Sequence, residues 1–130
     1  MNKKTKKNLI IDAANEKIVF KIIDNNKIYT NDYENSRKNF DKFAVLLFKF
    51  LKKNMISFKT LDKVLVNLGP GKYSSIRTSI STLKAVNLIY KFKIYGFSSK
   101  DAEKSDYTRV LNLLKKGKLI KNLIKPLYMS

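Results

Sequence analysis

The segment from Gly69 to Arg77, Gly-Pro-Gly-Lys-Tyr-Ser-Ser-Ile-Arg, holds the residue types most able to do chemistry in this chain. It follows an apolar run at 64–68 and opens a stretch with helical periodicity. Glycines around a proline allow backbone angles or close approaches that other residues resist. A turn that enters a helix N-terminus can also hold an anion. The segment predicts a phosphate site or a tight structural corner, and we favour the corner because the spacing fits no phosphate-binding fingerprint.

Individual residues of this turn have expected roles. We expect Gly71 to take a positive φ, which a β-branched residue resists. A hydroxyl from Ser74 or Ser75 would suit the helix N-cap. The turn residues that we single out for function are Gly69, Pro70, Gly71, Tyr73, Ser74 and Arg77.

Two residue types that carry much enzyme chemistry are missing, because the chain has no cysteine and no histidine. Without cysteine there is no thiolate nucleophile and no disulfide. Without histidine the commonest general base and metal ligand are lost. A metal site would need carboxylates, and the ten acidic residues are scattered along the sequence. We therefore expect no catalytic residue, no metal site and no cofactor.

The charge of the chain is strongly positive: 28 lysine and arginine residues against ten acidic ones give a net charge of +18. Such a balance attracts nucleic acid. However, arginine occurs only at positions 37, 77 and 109, and arginine is the preferred residue for bidentate phosphate and base contacts. We expect weak, salt-sensitive attraction to RNA rather than specific readout. No apolar run approaches a membrane span and no signal peptide is evident, so we expect a cytoplasmic protein.

The elements that would position these residues alternate between strands and helices. We predict strands at 8–13, 17–24, 27–30, 61–67 and 93–97, and helices at 37–53, 74–90 and 107–116, with Gly117 ending the last helix. This order predicts an α/β fold, a mixed five-stranded sheet with helices, of the ribonuclease H-like half-domain type found in actin-like ATPases. We expect residues 1–99 to form that domain and residues 100–130 to be a linker, a C-terminal helix and a tail packing back on it.

The first two predicted helices suggest an interaction surface. The helix at 37–53 is apolar on more than one side, and such a helix is buried on more than one side. The helix at 74–90 has small residues that allow close approach of a neighbour. The second buried side is either the core of the chain itself or a partner. The predicted interface residues are Phe40, Phe43, Leu47, Ile80, Leu83 and Lys84.

Four stretches of the sequence resemble the TsaB (YeaZ) family. The 69–77 turn is similar to that family's Gly-Pro-Gly-Ser-Phe-Thr-Gly-Leu-Arg motif, and residues 9–12 look like its first strand and aspartate. Residues 93–99 and 125–129 are similar to its later strand and to its terminal Pro-x-Tyr-Leu-Arg signature. Departures include Ala13-Ala14 for Thr-Ser, Ser75 for glycine, and no matching terminal arginine. Because family members are close to twice this length, the chain resembles a shortened member lacking most of the second half-domain.

The resemblance implies a non-catalytic scaffold or activator subunit in the synthesis of threonylcarbamoyladenosine in tRNA. Family members pair with a catalytic paralogue, TsaD, and an ATPase, TsaE; a homodimer is an open alternative, and tRNA would be a weak electrostatic partner. Two other interpretations remain. One is a small basic RNA-binding protein. The other is a phosphate- or nucleotide-binding enzyme that uses Asp12, where actin-like ATPases keep a phosphate-site acid.

Overall fold

The computed structural model describes residues 7–122 and 125–127, which form one mixed sheet with helices on both faces. The strands are β1 Lys7–Asp12, β2 Lys17–Asp24, β3 Lys27–Glu34, β4 Leu61–Asn67, β5 Lys93–Phe97 and β6 Ile120–Lys121. The helices are α1 Arg37–Phe40, α2 Phe43–Lys53, α3 Tyr73–Asn87 and α4 Thr108–Lys115, with short 3-10 turns at Phe58–Thr60, Ser99–Asp101 and Glu103–Ser105.

The sheet order is β3-β2-β1-β4-β5-β6. The first three strands form an antiparallel meander, β1, β4 and β5 run parallel, and β6 pairs antiparallel with β5. The predicted α/β mixed sheet is therefore confirmed, with six strands rather than five. The additional strand is two residues long, too short for a periodic pattern to reveal it.

Each face of the sheet has its own apolar cluster. Helices α2 and α3 cover one face, where the buried Phe20 ring packs edge-on against Phe43 at a centroid distance of 5.4 Å. On the other face, Val110 of α4 packs against Ile10 and Leu65. Burial of this apolar surface is the main favourable contribution to folding. The sheet is consequently buried on both faces around its parallel centre.

Three predicted boundaries are wrong, and one of them is the end of the helix predicted at 74–90, which stops at Asn87. Strand β3 continues from Lys27 to Glu34 and pairs with β2 over its full length, so the strand predicted at 27–30 extends over four further residues. The residues there are polar because β3 is an edge strand with alternate side chains exposed. The predicted helix 37–53 is broken after Phe40, and α2 begins at Phe43. No glycine or proline marks the break, so the apolar periodicity runs through it.

The ends of the later helices show which capping predictions hold. Helix α3 begins at Tyr73 after Lys72, with no side-chain cap bond, so neither Ser74 nor Ser75 is the N-cap. Gly117 ends α4 as predicted: its φ is +67°, and the amides of Gly117 and Lys118 donate to the carbonyls of Leu114 and Leu113. Within the described residues, no helix is long and apolar enough to cross a membrane.

Candidate functional site

The carboxyl ends of β1, β4 and β5 lie side by side because these strands are parallel neighbours. Asp12 ends β1, Asn67 ends β4, and Ser99 follows β5 by two residues. In open α/β sheets, ligands bind outside the carboxyl ends of the strands. This end of the sheet is therefore the place to look for chemistry.

The Asp12 carboxylate is buried, with 3% of the residue exposed, and both of its oxygens are engaged. Its Oδ1 accepts hydrogen bonds from Asn67 Nδ2 at 2.9 Å and from the Ala14 amide at 3.3 Å. Its Oδ2 accepts from the Tyr107 hydroxyl at 2.9 Å. A buried carboxylate that accepts three hydrogen bonds from the chain itself acts as a structural group, since both of its oxygens already have donors.

Tyr107 is held as a hydrogen-bond donor. Burial first, and then the nearby Asp12 charge, raise the pKa of the Tyr107 phenol well above its ordinary value. The phenol therefore keeps its proton and donates a hydrogen bond to the carboxylate. Tyr107 comes directly before α4, so the Asp12 bond joins the C-terminal part of the chain to the first strand.

Asn67 occupies the position next to Asp12 where a second carboxylate would make a metal pair. Its amide nitrogen donates to Asp12, and its Oδ1 accepts from the Gly69 amide at 2.8 Å. The Ser99 hydroxyl donates to the Pro70 carbonyl at 2.7 Å and lies 3.2 Å from Asn67 Oδ1. The side chain is fixed by these bonds. Across residues 7–122 and 125–127, no group of three acidic side chains could hold a metal ion.

A cleft of about 480 Å³ opens beside Asp12. Its lining carries both signs of charge, with Glu16 and Glu103 against Lys17 and Lys104. An anion site needs an excess of positive charge or free backbone amides. The lining does not concentrate positive charge, and the Asp12 carboxylate itself would repel a phosphate. The geometry therefore does not favour a phosphate site at Asp12.

The glycine turn is a structural corner, although not for the expected reason. Positive φ occurs at Gly69, +106°, which precedes a cis peptide bond to Pro70. Gly71 does not have a positive φ. It is constrained instead by close approach, because a Cβ there would lie 2.2 Å from the Ala14 carbonyl oxygen. The Lys72 amide donates to the same oxygen at 2.8 Å, so the turn is packed directly on the segment that follows β1.

The chain's own backbone also covers this turn. The Ser99 amide donates to the Gly69 carbonyl at 2.9 Å, and the Leu127 amide donates to the Leu68 carbonyl at 2.7 Å. Residues 125–127 of the predicted terminal signature thus reach the turn, while 128–130 lie outside the described residues. Arg77 lies 5.3 Å from the centre of the Tyr73 ring, and both are exposed, as is Ser74. The Gly-Pro-Gly segment is joined to β5 and to the tail.

The helix pair α2–α3 differs from the predicted interface. Four of the six residues predicted as partner contacts are core residues of the chain itself: Phe43, Leu47, Ile80 and Leu83. Phe40 is half-buried, and Lys84 is exposed. The four core residues leave no surface for a partner. Their burial follows from the position of both helices on the sheet, which periodicity alone could not assign to an inner or outer face.

Other apolar residues of the helix pair are exposed. Val45 and Phe48 lie on the outer side of α2, and Leu88 and Ile89 follow α3. The sequence predicted a second apolar side on the first helix, widened by Ala44, Val45, Leu46 and Phe48, and of these Val45 and Phe48 are exposed. We call Val45, Phe48, Leu88 and Ile89 the outer apolar surface.

No protein-family model and no curated protein matches the sequence. Among solved structures, RuvC from Thermus thermophilus in complex with a Holliday junction substrate matches 90% of this chain and 99% of its own, with 6% identity and a TM-score of 0.59. The class that this fold defines is the ribonuclease H-like α/β fold.

Within that class, the chain is similar to YeaZ from Pseudomonas aeruginosa, with 13% identity and a TM-score of 0.65. A second structure, an uncharacterized protein with similarity to peptidase YeaZ from the same organism, gives the same identity and TM-score. The matches cover 72% of this chain but only 44% and 43% of those chains, so the chain spans less than half of their length. The resemblance seen in the sequence motifs is confirmed at the level of the fold.

Proposed function

We propose that this chain is a non-catalytic scaffold or activator subunit of the complex that makes threonylcarbamoyladenosine in tRNA, paired with a TsaD-type catalytic paralogue. The outer apolar surface of α2–α3 is the single observation that carries the proposal. The YeaZ-like fold and the 69–77 motif support the choice of complex. In this role the protein works in the cytoplasm, with a TsaE-type ATPase as a further partner and tRNA as a weak electrostatic one.

The outer apolar surface has the features of a protein contact. Phe48 is 47% exposed and Leu88 is 78% exposed, although both are large apolar residues. Burying such a side chain is worth about 1.5–3 kcal/mol. On α3, Ser81 and Ala85 are small and exposed, which allows a partner helix to approach closely. We take the exposed apolar side chains of the helix pair to form one contact, since apolar patches on a protein surface mark interaction sites.

The carboxyl end of the sheet supports an accessory role over an enzyme. Asp12, Asn67 and Tyr107 bond to one another, so none is left to act as a base or nucleophile. A substrate would have to displace these buried bonds, and each buried polar group left unpaired costs about 1–3 kcal/mol. We expect the isolated chain to show no ATPase, protease or threonylcarbamoyl-transfer activity.

In the absence of its partner, the chain is expected to self-associate through the same surface. The net charge of +18 opposes this association, so added salt should strengthen it by screening the repulsion. Sedimentation across a salt series measures the effect. A chain that stays monomeric at high concentration and moderate salt would argue against the surface as a contact.

The test of the proposal is capture of the catalytic paralogue from the same organism. Phe48→Glu with Leu88→Glu should abolish the complex, because the charges would lie within an apolar contact. The matched control is Ile28→Glu, since Ile28 is also exposed but lies on β3, away from the helix pair. The control should retain the complex. A complex that survives the double variant, or no complex with the wild-type chain, would contradict the proposal.

A further inference from the structure

A second surface lies at the opposite end of the parallel strands and shares Ile89 with the outer apolar surface. The turn Phe58–Thr60 leads into β4, and the segment 88–92 leads into β5. Since β4 and β5 are parallel neighbours, these two entry segments lie side by side. A cleft of about 320 Å³ opens between them, and we call it the aromatic cleft.

The wall of the aromatic cleft is a stack of three rings. The Phe58 ring is stacked with Tyr90 at a centroid distance of 5.4 Å and with Phe92 at 5.9 Å. Phe58 and Phe92 are buried, whereas Tyr90 is half-buried and lines the cleft. The buried Phe58 ring, itself packed on Phe92, orients the Tyr90 ring. Its ring is thus a pre-organised platform at the surface.

The charge around the aromatic cleft has one sign. Lys59 and Lys91 line it and are exposed, and the exposed Lys93 begins β5. Lys93 lies in register with Lys63, an arrangement of like charges that is unfavourable across strands. Lys63 is paired with the adjacent Asp62, with its Nζ 2.7 Å from Oδ2, whereas Lys93 is exposed. No acidic side chain of the described chain lines the cleft.

We infer that the aromatic cleft binds single-stranded RNA, with a base stacked on Tyr90 and the backbone phosphates on Lys59, Lys91 and Lys93. Single-strand binding surfaces combine such a basic rim with an aromatic platform, and the contact is tolerant of sequence. A protein partner is a poorer match, because lysine is depleted where proteins bury their contacts. The inference does not depend on the proposed scaffold role.

The test is fluorescence anisotropy with a labelled single-stranded RNA of uridines at several salt concentrations. The triple variant Lys59→Ser, Lys91→Ser and Lys93→Ser should weaken binding about tenfold or more at 0.15 M salt. The salt slope should fall by about 2, since each phosphate contact on a single strand contributes about 0.7. The matched control replaces Lys17, Lys38 and Lys100, which are equally exposed and remove the same charge. Equal weakening by both triple variants would overturn the inference.

The stacking contact has its own variant. Tyr90→Leu keeps an apolar side chain but removes the platform, and it should weaken binding about fivefold or more. Thermal unfolding confirms that the variant is folded, and the lysine variants change only exposed side chains. Unchanged affinity of a folded Tyr90→Leu chain would overturn the inference. So would a chain that binds no RNA but loses the catalytic paralogue when the same residues are changed.

Discussion

The carboxyl end of the parallel strands and the outer surface of the helix pair differ in which side chains they expose. At the carboxyl end, residues able to do chemistry are bonded to one another and buried. On the helix pair, the residues left exposed are apolar and chemically inert. The motif residues that identify the family therefore lie apart from the surface that we propose as its contact. At the carboxyl end of the sheet, the polar side chains hold β1, β4 and the segment before α4 together.

The largest expected effect distinguishes the inner and outer sides of α2. Leu47 is fully buried and its neighbour Phe48 is half exposed. Leu47→Glu would bury an unpaired charge and should lower the free energy of unfolding by about 4 kcal/mol or more, enough to unfold a marginal domain. Phe48→Glu should lower it by less, about 1–2 kcal/mol, because the half-exposed ring loses only its edge-on contact with Phe58. Circular dichroism with urea titration measures both, and equal losses would remove the distinction between the two sides.

The next effect concerns the glycine turn at the carboxyl end. Gly71→Ala should cost about 3 kcal/mol, because its Cβ would meet the backbone of Ala14 rather than a movable side chain. Gly117→Ala is the matched control: φ is positive there, but the space is open, so about 1 kcal/mol is expected. Urea unfolding of the two variants decides the point. A tolerated Gly71→Ala would mean that the turn is not packed on Ala14.

A third variant tests whether Asp12 is structural. Asp12→Ala removes the acceptor for the Tyr107 hydroxyl, the Asn67 amide and the Ala14 backbone amide and leaves these three buried donors unpaired, so about 3 kcal/mol of stability should be lost. Asp12→Asn keeps the shape and much of the bonding and should cost about 1 kcal/mol. Stability is measured by urea unfolding at neutral pH. An Asp12→Ala chain as stable as the wild type would return Asp12 to the list of candidate functional groups.

The smallest effect is a pH dependence. The pKa of Tyr107 is raised in the folded chain, so above pH about 10 the unfolded chain loses this proton while the folded chain keeps it. The stabilisation is complete below that pH and is lost as pH rises, by about 1.4 kcal/mol per pH unit. Urea unfolding between pH 9 and 11 should show this extra slope in the wild type and not in Tyr107→Phe. If the free energy of unfolding fell equally with pH in the wild type and in Tyr107→Phe, the buried hydrogen bond from Tyr107 to Asp12 would be contradicted.

Much of the fold could be predicted from the sequence because its signals are local. Strands β2, β4 and β5 begin and end where alternation and apolar runs place them. The site depended on contacts between distant residues, such as Asp12 with Tyr107, 95 positions apart. No local pattern encodes that pairing, nor the approach of Gly71 to Ala14. For the same reason, the prediction that Phe43 and Leu47 of α2 contact a partner is wrong. Periodicity gives the width of an apolar face but does not show which part of the structure covers it.

The most direct measurement of the central claim is complementation of a strain depleted of this protein, with the modified nucleoside in tRNA as the readout. Asp12→Asn removes the one candidate for enzyme chemistry and retains the outer apolar surface, whereas Phe48→Glu does the reverse. The account predicts that Asp12→Asn restores threonylcarbamoyladenosine to the wild-type level and that Phe48→Glu does not. Loss of the modified nucleoside with Asp12→Asn, together with full restoration by Phe48→Glu, would contradict it.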